Sequence, residues 1–122
     1  MTHELPAAVA RHIDAVNAFD LDAIAETFAP DAYVNDNRRE IRGAAAIRQW
    51  LAKEIVGDRV TLDVRDIVEH YGDVIVRAAY AGDFDKSNLP PGELVLSNYF
   101  SIRDGRIVSL TILFNRPSPY SG

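Results

Sequence analysis

The chain contains no cysteine. Disulfides, thiolate metal sites and thiol nucleophiles are therefore outside its chemistry, and a cytoplasmic protein is the expectation that fits such usage. Positive charge is also scarce: 13 Lys and Arg against 18 Asp and Glu leave a net charge of -5. That balance gives no electrostatic footprint for phosphate backbones or anionic lipid, so neither nucleic acid nor a membrane is an expected partner. No long apolar run opens the sequence, because Glu4, Arg11, His12, Asp14 and Asp20 interrupt it, and no secretory or spanning segment is expected there. His3, His12 and His70 lie on separate segments without ligand spacing, so no metal site is expected. Glycine-rich phosphate loops, serine nucleophile elbows and internal repeats are missing too, and no cofactor is called for.

What is present is an ordinary globular composition, 48% hydrophobic and 25% charged over 122 residues, which suits a single domain spanning 1–122. Leu5, Val9, Ile13 and Val16 recur at helical spacing, with Pro6 placed for a first turn. Asp20 is placed to cap a second helix carrying Leu21, Ile24, Ala25 and Phe28, which Pro30 stops. A short strand over Tyr33 to Asp36 precedes a third helix from Ala44 to about Gly57, with Ile47, Trp50, Leu51 and Ile55 on one face. After Gly57 the period switches to two. Val60, Leu62 and Val64 run to an irregularity at Arg65-Asp66, and a turn at His70-Tyr71-Gly72-Asp73 leads into Val74, Val76, Ala78 and Tyr80. The connection from Gly82 to Gly92 reads either as a functional lid or as a mobile hairpin tip. Two long strands follow, Glu93 to Ile102 and Arg106 to Asn115, with a frayed tail after Pro117. Helices first and hairpin-linked strands after them predict an α+β fold, three helices packed on one face of an antiparallel sheet.

The turn at Asp104-Gly105 suits either a two-residue hairpin or a three-residue loop with Gly105 left-handed. The three-residue version pairs Leu94 with Phe114, Leu96 with Ile112, Asn98 with Leu110 and Phe100 with Val108, gathering the large apolar residues on one side. Pattern consistency favours it. The other side then carries Val95, Ser97, Tyr99 and Ser101 against Ile107, Ser109, Thr111 and Leu113, a half-polar face either wet or suited to a homodimer contact.

Three polar residues stand where apolar ones are expected. Asn98 interrupts the inner row of Leu94, Leu96, Phe100 and Ile102; His12 lies beside the stripe of Val9 and Val16; Asp36 shares a side with Val34. Each has a plain explanation, as a half-buried hydrogen-bonding histidine, an amide satisfying backbone, or a turn-capping aspartate. Trp50, Tyr80, Leu96, Phe100, Leu110, Ile112 and Phe114 are the candidate walls of a ligand pocket, or simply core.

The segments Val16-Asn17-Ala18-Phe19-Asp20-Leu21-Asp22-Ala23-Ile24, Phe28-Ala29-Pro30-Asp31-Ala32 and Gly43-Ala44-Ala45-Ala46-Ile47-Arg48, with the closing Asp104-Gly105-Arg106-Ile107-Val108, resemble the nuclear transport factor 2-like superfamily. The nearest flavour is that of ketosteroid isomerase and the SnoaL-like polyketide cyclases. The resemblance implies a cone-shaped half-barrel with an internal pocket, and one of many possible functions, since isomerases, cyclases, dehydratases, epoxide hydrolases and non-catalytic members share the fold. In the isomerases a helix-one tyrosine and a strand acid hold the substrate oxygen while an aspartate moves the proton. By position these correspond to His12, Asn98 and Asp36, and the proline that often follows the aspartate is Asn37 here.

If the three converge, Asp36 is the expected general base, and His12 and Asn98 the expected hydrogen-bond donors to an oxygen that gains charge. The expected activity is isomerisation, cyclisation or dehydration of a small apolar carbonyl compound; the alternative is a non-catalytic small-ligand or interaction module. Hydrolysis would need a second acid, which the sequence does not single out.

Overall fold

The computed structural model describes residues 5–87, 89 and 92–114. Helix α1 (Ala7–Asn17) starts directly after Pro6, which is its N-cap rather than part of its first turn. It turns Val9, Ile13 and Val16 into the core, as their spacing requires. Asp20 caps α2 (Leu21–Glu26), its carboxylate accepting from the Ala23 amide at 3.1 Å. Helix α2 ends before Phe28. That residue opens β1 (Phe28–Asp36), so Pro30 lies inside a strand rather than stopping a helix. Helix α3 (Ala44–Trp50) continues without a break into a π-helical segment, Leu51–Val56. Gly57 closes it with its amide on the Ala52 carbonyl, and a Cβ at that position would sit 2.3 Å from the Lys53 carbonyl oxygen. Only glycine fits the wide turn there.

Six strands form one curved, unclosed sheet: β1, β2 (Arg39–Arg42), β3 (Thr61–His70), β4 (Asp73–Ala81), β5 (Leu94–Arg103) and β6 (Arg106–Phe114), in the order β2-β1-β6-β5-β4-β3. The architecture is α+β with three helices, as expected. The sheet, however, is mixed: β1 runs parallel to β6, and the other neighbours are antiparallel. Strand β2 was not foreseen. It is an edge strand with almost every residue exposed, so burial imposes no alternating pattern on its sequence. The β3–β4 ladder slips between Val64 and Asp66, where the sequence breaks its alternation, and a bulge of this kind bends the strand.

The last hairpin differs instructively from its expected register. Asp104 and Gly105 both have positive φ (54° and 75°) and close a two-residue turn with Arg103 opposite Arg106. A bulge between Ser101 and Ile102 then sets Leu96 opposite Phe114, Asn98 opposite Ile112 and Phe100 opposite Leu110. Leu96, Asn98, Phe100, Leu110, Ile112 and Phe114 share the inner face as in the three-residue loop, but their pairs are displaced by two and Val108 no longer lies opposite Phe100. Because the bulge reverses the alternation in β6, Ile107 also turns inward and is fully buried, leaving the outer face. Val95, Tyr99 and Leu113 remain outside, and Ser97 beside them is buried.

The core lies between this inner face and the helices, with Val34, Val74, Val76, Leu96, Phe100, Leu110 and Ile112 against Val9, Val16, Ile24, Ile47 and Leu51. Among the described residues no helix is long and apolar enough to cross a membrane.

Candidate functional site

The hairpin from β1 to β2 builds the mouth of a concavity. Asn37 and Arg38 both have positive φ (49° and 76°), forming a tight turn that sets Asp36 opposite Arg39. Asn37 anchors the turn to β6: its amide donates to the Ile112 carbonyl (2.9 Å), and its side-chain oxygen accepts from the Phe114 amide (3.2 Å). The Asp36 side chain keeps 20% of its exposure, and its two oxygens are used unequally. Oδ2 accepts from Trp50 Nε1 (3.1 Å) and from the Arg39 guanidinium (2.7 Å), whereas Oδ1 has only a long contact of 3.4 Å with the Asn37 amide. Arg39 also grips both oxygens of Glu54, at 2.6 and 2.9 Å. Its protonated form is held well above the ordinary arginine range by these hydrogen bonds, Glu54 first and Asp36 second. An acid–guanidinium–acid array thus spans the rim.

Behind it lies a cavity of about 190 Å³. Of the residues singled out from sequence, Asp36, Trp50, Tyr80, Leu96, Ile112 and Phe114 line it, together with Glu54, Asp58, Phe84 and Asp85 among others. A smaller void of about 10 Å³ lies deeper, bordered by His12 and Leu110 and sharing Trp50, Tyr80 and Ile112 with the first. Phe100 borders neither; it packs edge-on against the His12 ring at 5.5 Å. Asn98 is 2% exposed and borders neither, but its side-chain oxygen accepts from the Tyr80 hydroxyl. Its amide hydrogens go to the carbonyls of Val76 (3.0 Å) and Leu96 (3.2 Å), which fixes the amide's orientation. Burial, and after it the charge of Asp36, pushes the Tyr80 phenol above its ordinary value while the Asn98 hydrogen bond opposes the shift. It stays a neutral hydroxyl at neutral pH.

His12 is 4% exposed, and its Nδ1 lies 3.0 Å from the Thr27 hydroxyl. Burial lowers its pKa to about 4. Phe28 also meets the ring edge-on, at 5.4 Å. The structure therefore separates the three polar exceptions: Asp36 lines the cavity at its mouth, Asn98 sits behind Tyr80 in the wall, and His12 borders the deeper void.

Sequence reasoning did not single out Glu54, Asp58, Phe84 or Asp85. Glu54 lies in the π-helical segment one turn after Trp50, and Asp58 lies in the turn beyond Gly57, so no shared helical spacing marks the two. Phe84, Asp85 and Leu89 come from the 82–92 connection, whose Asn88, Pro90 and Pro91 lie outside the described residues. Nothing periodic marks them.

Comparison with known proteins supports the fold at several levels. Nothing among curated proteins matches the chain. Among solved structures, a candidate polyketide cyclase from Sinorhizobium meliloti is 33% identical, with a TM-score of 0.78 over 88% of this chain and 94% of that one. SalBIII, described as an epoxide hydrolase/cyclase-like enzyme in pyran ring formation in polyether salinomycin, is 24% identical with a TM-score of 0.77, over 88% of each chain. A protein of ketosteroid isomerase-like fold from Catenulispora acidiphila, in complex with trimethylamine, is 19% identical with a TM-score of 0.76, over 91% of this chain and 87% of that one. The SnoaL-like domain model matches residues 9–110, and the chain belongs to that family within the nuclear transport factor 2-like fold.

Proposed function

We propose that the cavity binds a small carbonyl compound and that Asp36 moves a proton on it, in an isomerisation, cyclisation or dehydration that needs no cofactor. The observation that carries this reading is the unequal use of the Asp36 carboxylate. Trp50 and Arg39 hold Oδ2, which orients the group and leaves Oδ1 available to take a proton from a carbon acid in the cavity. Tyr80 is the complementary donor: a neutral buried hydroxyl that turns from Asn98 to an oxygen gaining charge as the proton leaves. In this reading Asn98 positions Tyr80 and does not itself touch substrate. Leu96, Ile112, Trp50 and Phe114 close the apolar walls of a cone-shaped pocket. The cyclase descriptions carried by two of the similar structures point the same way.

Solvent deuterium incorporation into a panel of small cyclic ketones and enones, followed by proton NMR, tests the reading. Wild type accelerates exchange for at least one member, and Asp36→Asn slows it by about 10²–10⁴ with an unchanged circular dichroism spectrum. Equal rates in both proteins would leave a non-catalytic binding module as the function.

The Asp36–Arg39–Glu54 array favours one second reading. In it Arg39, held by Glu54, fixes Asp36 to take a proton from a water at the rim; the water oxygen bonds to an epoxide carbon as that carbon–oxygen bond breaks, and the Tyr80 hydroxyl gives the leaving oxygen its proton and is reprotonated from Asp36. Incorporation of label from ¹⁸O water into a diol, without deuterium exchange, would select it. In either case the outer sheet face, with Val95 partly exposed and Tyr99 and Leu113 at 42% and 38% exposure, is the proposed homodimer contact. Sedimentation at micromolar concentration giving monomer mass would remove that part.

A further inference from the structure

The deep end of the cavity is built from acceptors. Thr27 donates its hydroxyl hydrogen to the Ile24 carbonyl at 2.6 Å, so its oxygen can only accept from His12. That places the imidazole proton on Nδ1 and leaves Nε2 as a bare lone pair. Among the described residues no buried polar side-chain atom lacks a hydrogen-bond partner, and Nε2 has none, so it faces open space; the open space His12 borders is the small void. The neighbouring polar groups do not relieve it. Both amide hydrogens of Asn98 are taken by carbonyls, the Tyr80 hydrogen goes to Asn98, and the Trp50 hydrogen goes to Asp36.

We infer that His12 is a hydrogen-bond acceptor for the ligand, so that the site selects a compound carrying a hydroxyl group on the end remote from Asp36. The inference rests on the reading that this cavity takes small molecules, and it reverses the donor role expected of His12 from its position in the sequence. The void of about 10 Å³ has room for one oxygen-sized group, at the lower limit of what a water molecule needs. A ligand hydroxyl delivers its hydrogen to Nε2; a ketone oxygen sets lone pair against lone pair and cannot. An ammonium group is the poorer donor here, since Leu110, Val16 and Leu51 surround the void and a charge loses its hydration among them. The depressed basicity of the ring, with its pKa at about 4, prevents His12 from becoming a donor at neutral pH.

Cyclohexanol and cyclohexanone, equal in ring size and opposite in hydrogen-bonding sense, test the inference on the full chain labelled with ¹⁵N-histidine. Three histidines make the long-range ¹H–¹⁵N spectrum assignable. In the free protein His12 is expected as the Nδ1-protonated form. Cyclohexanol is expected to shift its Nε2 resonance and to bind about fivefold more tightly than cyclohexanone, the worth of one neutral hydrogen bond. Thr27→Val releases the tautomer and brings the two affinities together. An Nε2-protonated His12 in the wild type overturns the inference even if the Thr27 variant does not fold. So do equal affinities for the two probes, an unmoved Nε2 resonance, or binding of neither probe up to its solubility limit. Affinity is read without turnover. A kept alcohol preference with no deuterium exchange therefore sinks the proton-transfer reading alone, and exchange without the preference sinks this one alone.

Discussion

The two ends of the cavity solve the same problem, holding polar groups beside apolar walls, in opposite ways. At the mouth, Asp36, Arg39 and Glu54 are ionised partners whose side chains keep 20%, 55% and 33% of their exposure. At the blind end and in the wall behind Tyr80, His12, Thr27 and Asn98 are 4%, 5% and 2% exposed and form neutral hydrogen bonds. Solvent access explains the division: a charge keeps most of its hydration at the rim and would lose it at the bottom, whereas a neutral group needs only a partner. The functional division follows the physical one. In the proposed reading, reactivity belongs to the wet end and recognition to the dry end.

The largest expected effect separates the ends by pH. Because the folded His12 pKa lies at about 4, below the 6.5 of an unperturbed histidine, both states carry neutral His12 above pH 6.5 and its contribution is complete there. As pH falls from 6.5 towards 4, the unfolded chain binds a proton that the folded chain refuses, and stability drops. The shift corresponds to a loss of about 3 kcal/mol. Urea titrations of wild type and His12→Leu, taken as a difference between the two pH profiles, should show this slope in the wild type only. A flat difference would mean that the ring takes up its proton within the fold, and the neutral character of the blind end would be lost.

Next in size is Asn98→Leu. It strips the Tyr80 hydroxyl of its acceptor and removes the side-chain donors from the Val76 and Leu96 carbonyls, at a cost of about 2 kcal/mol in urea midpoints. A cost near zero would show that the amide is filler and does not position the phenol.

How much of this was legible beforehand depended on whether burial imposed a pattern. Helix α1 could be read because Val9, Ile13 and Val16 must face one core, α2 because Asp20 offers a cap, and the bulge in β3 because Arg65-Asp66 breaks a two-residue alternation. Strand β2 meets solvent on nearly all sides, and no such constraint acts on it. The parallel pairing of β1 with β6 has no connecting turn to betray it, and a bulge hid the register of β5 on β6 while turning only the β6 residues nearest the turn, Ile107 among them, to another face. At the site, Asp36, His12 and Asn98 stood out as polar residues in apolar rows, and six of the seven predicted wall residues border the cavity or its deeper void, Phe100 being the exception. Their hydrogen-bonding sense was not legible. Whether His12 donates or accepts is decided by Thr27, fifteen residues away, and by the Ile24 carbonyl that Thr27 already serves. Glu54 was hidden differently, because a solvated acid on a helix face looks like any other until the β1–β2 turn brings Arg39 against it.

The smallest expected effect is the strongest test of the contrast. Arg39→Gln deletes two ion pairs, with Asp36 at 2.7 Å and with Glu54 at 2.6 Å, close enough that geometry alone would rank it the most damaging change at the site. With the guanidinium 55% exposed, water screens both pairs and rehydrates the two carboxylates once the cation is gone. The urea midpoint should therefore move by less than about 0.5 kcal/mol, and raising the salt concentration should weaken the wild type towards the variant rather than the reverse. The deuterium exchange rate should fall even so, since Asp36 Oδ2 keeps only Trp50 to orient it and Oδ1 no longer holds a fixed aim into the cavity. A stability loss above about 1.5 kcal/mol would mean that the rim is as dry as the blind end, because only desolvated pairs are that costly to break.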